Sequence, residues 1–269
     1  MGRDILAIDV GTSGLKLGVY APDLELRASV SREYAPDLRA GGKADVQPET
    51  WWVAIVSACA EVGSGLAEVG VVSLSVTTPG LTPMAADGRA LGPAILFLDG
   101  RSHEQAAAIR ASVGEERFLA EACNLPVSGG SSLASILWIR DQQPEIWAQA
   151  AMFGHTNTYM VKRLTGEWAI DPSTVSITGM YRTPEDDLSW HEPILGAAGI
   201  SPDRLPPLYR SHDVVGTVRE EVATRLGLPE GTAVLCGAND AALAALSADL
   251  TQSGGISVVL GTVDLTTVC

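Results

Sequence analysis

Ile5-Leu6-Ala7-Ile8-Asp9-Val10-Gly11-Thr12-Ser13-Gly14-Leu15-Lys16-Leu17-Gly18-Val19-Tyr20 carries the topology of this chain. Ile5 to Asp9 and Leu15 to Tyr20 are short apolar segments, and Val10 to Gly14 is a turn-rich loop of the kind that joins hairpin strands. A third strand is expected across Leu26 to Tyr34. Gln47-Pro48-Glu49 then sets a proline where a first helical turn tolerates it. Trp52, Ile55, Val56 and Cys59 follow at helical spacing, with a stop near Gly63 or Gly65. Val69 to Val76 is a nearly continuous apolar run that suits a strand buried on both faces. The order so far, β-β-β-α-β, is that of an α/β domain.

Beyond this unit the chain is helix-rich. Ser102 to Val113, Glu115 to Cys123, Leu133 to Asp141, His155 to Leu164 and Val218 to Leu226 read as helices, and Ala233 to Cys236 starts a new strand. The first hairpin has an echo: Val259-Leu260-Gly261-Thr262-Val263-Asp264-Leu265 repeats an apolar strand, a Gly-Thr turn and a second apolar strand. Two copies of one hairpin imply two related domains. The second copy stands too close to Cys269 for a whole β-β-β-α-β unit to follow. The expected division is therefore 1–232 as a full first domain and 233–269 as the incomplete opening of a second.

The chain has 269 residues, enough for one large domain or two. Its 18 basic against 32 acidic residues give a net charge of −14, which tells against nucleic acid and anionic membrane as partners, because phosphate surfaces require a basic footprint. A small neutral ligand is the better expectation. Cys59, Cys123, Cys236 and Cys269 show no paired spacing and sit in or beside apolar runs, as buried reduced thiols do. No leader or long apolar span is visible, so a cytoplasmic location is expected.

Three places could carry chemistry. Gly11-Thr12-Ser13-Gly14 offers backbone N–H groups and two hydroxyls suited to a phosphate, or is a plain hairpin turn. It lacks the Lys of a Walker loop. Gly237-Ala238-Asn239-Asp240 precedes a strong helix former, Ala241 to Leu246. Asp240 is either an N-cap or a carboxylate whose pKa the helix dipole lowers, keeping it ionised as a base. Phe97-Leu98-Asp99-Gly100-Arg101 ends a buried run, where α/β ligand sites open or where a structural Asp–Arg pair sits. His103, His155, His191 and His212 have no metal-ligand spacing. Trp51, Trp138 and Trp147 fall at core-like positions.

The order of these pieces resembles the FGGY carbohydrate kinases, most closely their xylulokinase-like branch. The resemblance rests on Ile8 to Lys16, Gln47-Pro48-Glu49-Thr50-Trp51-Trp52, Pro93 to Arg101, Leu137-Trp138-Ile139 with Pro144-Glu145, Leu164-Thr165-Gly166-Glu167, Asp171-Pro172-Ser173, and Gly237-Ala238-Asn239-Asp240. It implies an actin-like ATPase, ribonuclease H-like fold with a mixed five-stranded sheet flanked by helices, and the ATP-dependent, Mg2+-assisted phosphorylation of a pentulose-like sugar or polyol hydroxyl. The first domain would hold most of the sugar and the second most of the ATP. By the same resemblance Asp240 is the catalytic base and also touches the sugar, Asp9 organises the metal, and Gly11, Thr12, Ser13, Gly261 and Thr262 face the nucleotide. Thr78, Phe97, Asp99 and Arg101 complete the sugar site.

This chain departs from the family pattern at three motifs. Thr77-Thr78-Pro79-Gly80 stands where xylulokinases have Gln-Met-His-Gly, which tells against xylulose itself. Phe97 replaces a Trp, keeping an apolar wall without the indole donor. Gly261-Thr262-Val263-Asp264 replaces a Gly-Thr-Ser hairpin. Family members also carry a complete second domain, so the expectation is either a fragment of a longer kinase or a homodimer or partner chain that completes that domain. The alternative is a non-catalytic carbohydrate-binding or regulatory protein derived from the kinase fold.

Overall fold

The computed structural model describes residues 3–250, 252–259 and 265–268. The opening stretch forms the expected meander of β1 (Asp4–Val10), β2 (Gly14–Tyr20) and β3 (Leu26–Glu33), antiparallel throughout. Alternation in β1 puts Leu6, Ile8 and Val10 into the core and Ala7 and Asp9 on the opposite face. Two short strands, β4 (Asp37–Arg39) and β5 (Lys43–Val46), precede helix α1 (Pro48–Val62). Pro48 opens that helix, Glu49 lies in its first turn, and Trp51, Trp52, Ile55 and Cys59 form its buried stripe. β6 (Val69–Val76) then runs parallel to β1.

A second layer follows: β7 (Gly80–Met84), β8 (Ala94–Leu96), α2 (His103–Val113), α3 (Glu115–Glu121), α4 (Ser132–Gln142), α5 (Pro144–Gln149), β9 (Met152–Gly154), α6 (Thr156–Thr165), α7 (Pro172–Val175) and α8 (Glu192–Ala198). The chain returns through β10 (Val214–Thr217), α9 (Glu220–Leu226), β11 (Ala233–Leu235), β12 (Ala238–Asn239) and α10 (Asp240–Ser247), and ends on β13 (Ile256–Val259) and β14 (Leu265–Val268).

Among the described residues the central sheet has order β3-β2-β1-β6-β11-β10, with β12 also paired to β6, making seven strands. β3, β2, β1 and β6 stand in it as the sequence order predicts, and β11 joins them in a mixed sheet. β10 adds an antiparallel edge, and β12 continues along β6 beyond β11. Ala233–Leu235, expected to open a second domain, is hydrogen-bonded into this first sheet beside Val71 and Val72. A second sheet, β4-β5-β8-β7-β9, packs with α2 and α4 around Phe118, Leu133, Ile136 and Phe153. The sequence reading missed most of it, because three-residue strands and a β7 containing Pro83 carry no usable alternation.

The echo of the first hairpin is itself a hairpin, with Ile256 opposite Val268 and Val259 opposite Leu265. Its turn, including Gly261, Thr262 and Asp264, lies outside the described residues. Cys59 and Cys236 are buried thiols, whereas Cys123 is exposed, contrary to expectation: it sits just past α3 with a positive φ of 50°. Among the described residues no helix is long and apolar enough to cross a membrane.

Candidate active site

Three strands end together. Val10 of β1 pairs with Val76 of β6, and Val76 pairs with Asn239 of β12, so the residues just past these positions share one end of the sheet. Beyond β1 the hairpin turn closes with Gly11 N–H on the Gly14 carbonyl at 2.9 Å. The Tyr34 hydroxyl donates to the carbonyls of Gly11 (2.7 Å) and Gly14 (3.0 Å), pinning the turn from behind. Burial, reinforced by the nearby charge of Asp9, holds the Tyr34 phenol well above its ordinary pKa, so it stays a donor. A Cβ on Gly14 would lie 2.9 Å from the Arg32 carbonyl, so the close pairing there requires glycine. Among the described residues the amides of Thr12 and Ser13 have no backbone acceptor, the condition a phosphate-holding loop must meet. Thr12 Oγ1 lies 2.9 Å from Thr77 Oγ1, joining the hairpin to the loop after β6.

Two carboxylates face each other across this end. Asp9 is half-buried and accepts the Ser75 hydroxyl at 2.7 Å on one oxygen. Asp240 opens α10, separated from β1 by β6, so that about two strand spacings, or about 10 Å, lie between the backbones. The cap of α10 is Asn239, whose Oδ1 accepts the amides of Ala241 (2.7 Å) and Ala242 (3.3 Å). Asp240 is thereby released from capping and accepts the Ala241 amide at 2.8 Å. Burial pushes its pKa up to about 6, the Ala241 hydrogen bond opposes this, and the Asp9 charge adds to it. The sequence reading expected the helix dipole to lower this pKa; desolvation and a like charge prevail over it.

The segment bearing Asp240 can approach β6 because Gly237 has φ +81° and no Cβ. A Cβ there would meet the Leu74 carbonyl at 2.7 Å.

The expected sugar residues divide. Thr78 is half-buried, and its hydroxyl donates to the Val76 carbonyl at 3.2 Å; the Thr78–Pro79 peptide is cis. Gly80 pairs with Leu96, so the loop after β6 runs beside Phe97 and bridges the two sheets. Asp99 is 2% exposed. It accepts the amides of Ala44 (2.8 Å) and Arg101 (3.0 Å), and both Arg101 Nε and Nη2 approach it at 2.8 Å. Arg101 also reaches Asp45 at 3.5 Å and stacks over Trp138 at 4.5 Å. Asp99 is therefore saturated by these partners and holds Arg101 in place. Asp9, Gly11, Thr12, Ser13 and Asp240 gather at the end of the central sheet, while Phe97, Asp99 and Arg101 belong to the second sheet.

The sequence profile of the FGGY family of carbohydrate kinases, N-terminal domain, matches residues 5–247. This chain belongs to the FGGY carbohydrate kinase family. Xylulose kinase of Bacillus subtilis is 29% identical over 262 residues, covering 96% of this chain and 52% of its own. Gluconokinase of the same organism is 28% identical over 264 residues, with 96% and 50% covered. The solved xylulose kinase from Rhodospirillum rubrum superposes with a TM-score of 0.88 at 26% identity, over 95% of this chain and 53% of that one. This chain spans about half the length of the curated relatives it matches. The fold is the actin-like ATPase fold of the FGGY kinases, and the matched N-terminal span runs through β11, β12 and α10.

Several residues that shape this end of the sheet are not marked by the sequence pattern. Ser75 lies in an apolar strand and gives no signal of its own, and Thr77 stands out in the sequence only as part of the Thr77-Thr78-Pro79-Gly80 run. Tyr34 was seen only as a strand end. Asp171 and Ser173 were noticed as a motif without a role. The Thr156 hydroxyl donates to the Thr77 carbonyl at 3.1 Å, fixing the loop that carries Thr78. His155 beside it is fully buried against the Ser132 hydroxyl at 2.5 Å, and burial lowers its pKa to about 4, so it is neutral.

Proposed function

We propose that this chain is largely the sugar-binding half of an ATP-dependent carbohydrate kinase that phosphorylates a hydroxyl of a pentulose-like sugar or polyol. One observation carries the reading. A half-buried aspartate raised to about 6 sits across one strand from a second aspartate and beside a glycine hairpin with unpaired amides. A carboxyl group tuned toward neutrality is mostly ionised at pH 7 yet basic enough to accept a hydroxyl proton. Asp240 takes that proton as the sugar oxygen bonds to the terminal phosphorus and the bond to the ADP oxygen breaks.

The residues present fit the nucleotide and metal that this chemistry requires. Thr12 and Ser13 offer free amides at a turn where a Cβ on Gly11 would lie 3.1 Å from the Gly14 carbonyl, and Asp9 keeps one oxygen without a side-chain donor. ATP supplies the phosphoryl group and Mg2+ neutralises its charge, which is most of what phosphoryl transfer needs. Gly11, Thr12, Ser13 and Asp9 are the groups that would face them, with Gly261 and Thr262 contributing from the second hairpin. Phe97 and Thr78 would line the sugar, and Arg101, held by Asp99, would offer it a donor. Gluconokinase and xylulose kinase relatives score alike, which supports the sugar class and leaves the particular sugar to Thr77-Thr78-Pro79.

We set the end of the sugar-binding domain after α10, since β11 and β12 belong to the central sheet. Leu246, Ile256, Val258 and Val268 are exposed, which supports a covering surface from a second half on this chain or on a partner. A cytoplasmic setting accords with the buried free thiols. The test is calorimetric titration with a panel of ketoses and polyols, then with Mg-ATP, together with an assay of sugar-dependent ADP release. Sugar binding with ADP release supports a kinase, sugar binding alone supports the non-catalytic alternative, and binding of neither contradicts the proposal.

A further inference from the structure

We infer that Asp171, acting through Ser173 and Ser211, is a positioning residue that clamps the strand end from which Asp240 projects. The inference rests on the proposed role of Asp240. Asp171 is wholly buried at the N-cap of α7. Capping a four-residue helix needs only the Ser173 amide, which its Oδ2 accepts at 2.9 Å. Three further donors converge on the same carboxylate: the Ser173 hydroxyl, the Ser211 hydroxyl at 3.1 Å and Asn157 Nδ2 at 3.1 Å. A buried carboxylate with this many donors is more than a cap.

Both serines lead to the same segment. The Ser173 hydroxyl gives its proton to Asp171, so its oxygen is oriented to accept, and it takes the Asn239 amide at 3.0 Å. Ser211 gives its hydroxyl proton to Asp171, and its carbonyl takes the Gly237 amide at 3.0 Å. One carboxylate thus fixes two acceptors that grip residues 237 and 239 in alternation, while Ala238 and Asn239 pair with Ser75 and Val76 on the other side. Asp240 follows by one peptide. Asn157 ties Asp171 to α6, whose first residue, Thr156, holds the Thr77 loop, so the base and the expected sugar loop share one support. A base held this way keeps its place relative to the hydroxyl, and small misplacements of reacting groups cost rate steeply.

The test uses Ser173→Ala in the full chain, because it removes the acceptor for Asn239 and leaves Asp171 and its cap in place. Asp171→Asn serves as a second variant, setting an amide NH2 either against Asn157 Nδ2 on the one oxygen's side or against the three donors on the other's. Three quantities are read: hydrogen exchange at the Asn239 amide, the titration midpoint of the Asp240 carboxyl carbon by NMR, and kcat against sugar KM. The expected result for Ser173→Ala is exchange at Asn239 faster by about tenfold or more, a displaced Asp240 midpoint, and kcat lower by about tenfold with KM within about twofold. Ser173→Thr restores all three. Unchanged exchange and midpoint in Ser173→Ala overturn the inference, as does a displaced midpoint with undiminished kcat. If the parent chain releases no ADP with any sugar while exchange and midpoint both move, the clamp stands and the kinase reading falls.

Discussion

Asp99 and Asp240 are the same residue at similar addresses, each just beyond a short strand, and their surroundings give them opposite work. Asp99 is enclosed by two amides and a bidentate Arg101 that in turn rests on Trp138 and reaches Asp45. Every part of its charge is answered, so it fixes geometry. Asp240 is met by the backbone amides of Ala241 and of Asp240 itself, faces a like charge across β6, and leaves the helix cap to Asn239. Its charge is under-answered, which keeps a proton within reach near neutral pH. The difference lies in the number of donors rather than in the residue or its place on a strand.

The comparison breaks or sharpens at four points. The largest effect is expected at Asp240→Asn, which should lower sugar-dependent ADP release by about 10²–10⁴-fold while sugar affinity by calorimetry stays within about threefold. Asp99→Ala should do the reverse: Arg101 is left buried without its main partner, and urea unfolding should show a loss of about 3–5 kcal/mol. A loss under about 1 kcal/mol would mean that the Asp99–Arg101 pair is not structural.

Next comes a gain. The folded pKa of Asp240 is near 6, above the ordinary 3.8, so between these values the folded chain keeps a proton that the unfolded chain has given up. Stability from this group is thus present at low pH and is lost as pH rises through about 6. Asp240→Asn should therefore stabilise the fold by about 1–2 kcal/mol at pH 8, with the gap closing by about pH 4, in thermal unfolding across that range. The smallest effect belongs to Tyr34→Phe, which removes two hydroxyl bonds behind the hairpin and should cost about 1 kcal/mol. Its ATP affinity should fall more than its sugar affinity.

What the sequence made legible follows from length and periodicity. β1, β2, β3, α1 and β6 are long enough for alternation or helical spacing to speak, and they stand within a few residues of where the pattern puts them. β7 to β9 are too short or too proline-broken to be read, so the second sheet stayed hidden inside a helix-rich reading. At the site, glycines and carboxylates at strand ends were visible because few other residues suit those places. The protonation of Asp240 was not, because it depends on burial and on Asp9, which lies 231 positions away in the chain. Asp171 was likewise visible as a motif, and its reach to Asn239 appears only once β12 lies beside β6.

The most direct test of the account is a pH titration of the Asp240 carboxyl carbon by NMR, in the parent chain and in Asp9→Asn. The account predicts a midpoint near 6 that falls when the Asp9 charge is removed. A midpoint close to that of an ordinary exposed aspartate, unmoved by Asp9→Asn, would contradict it.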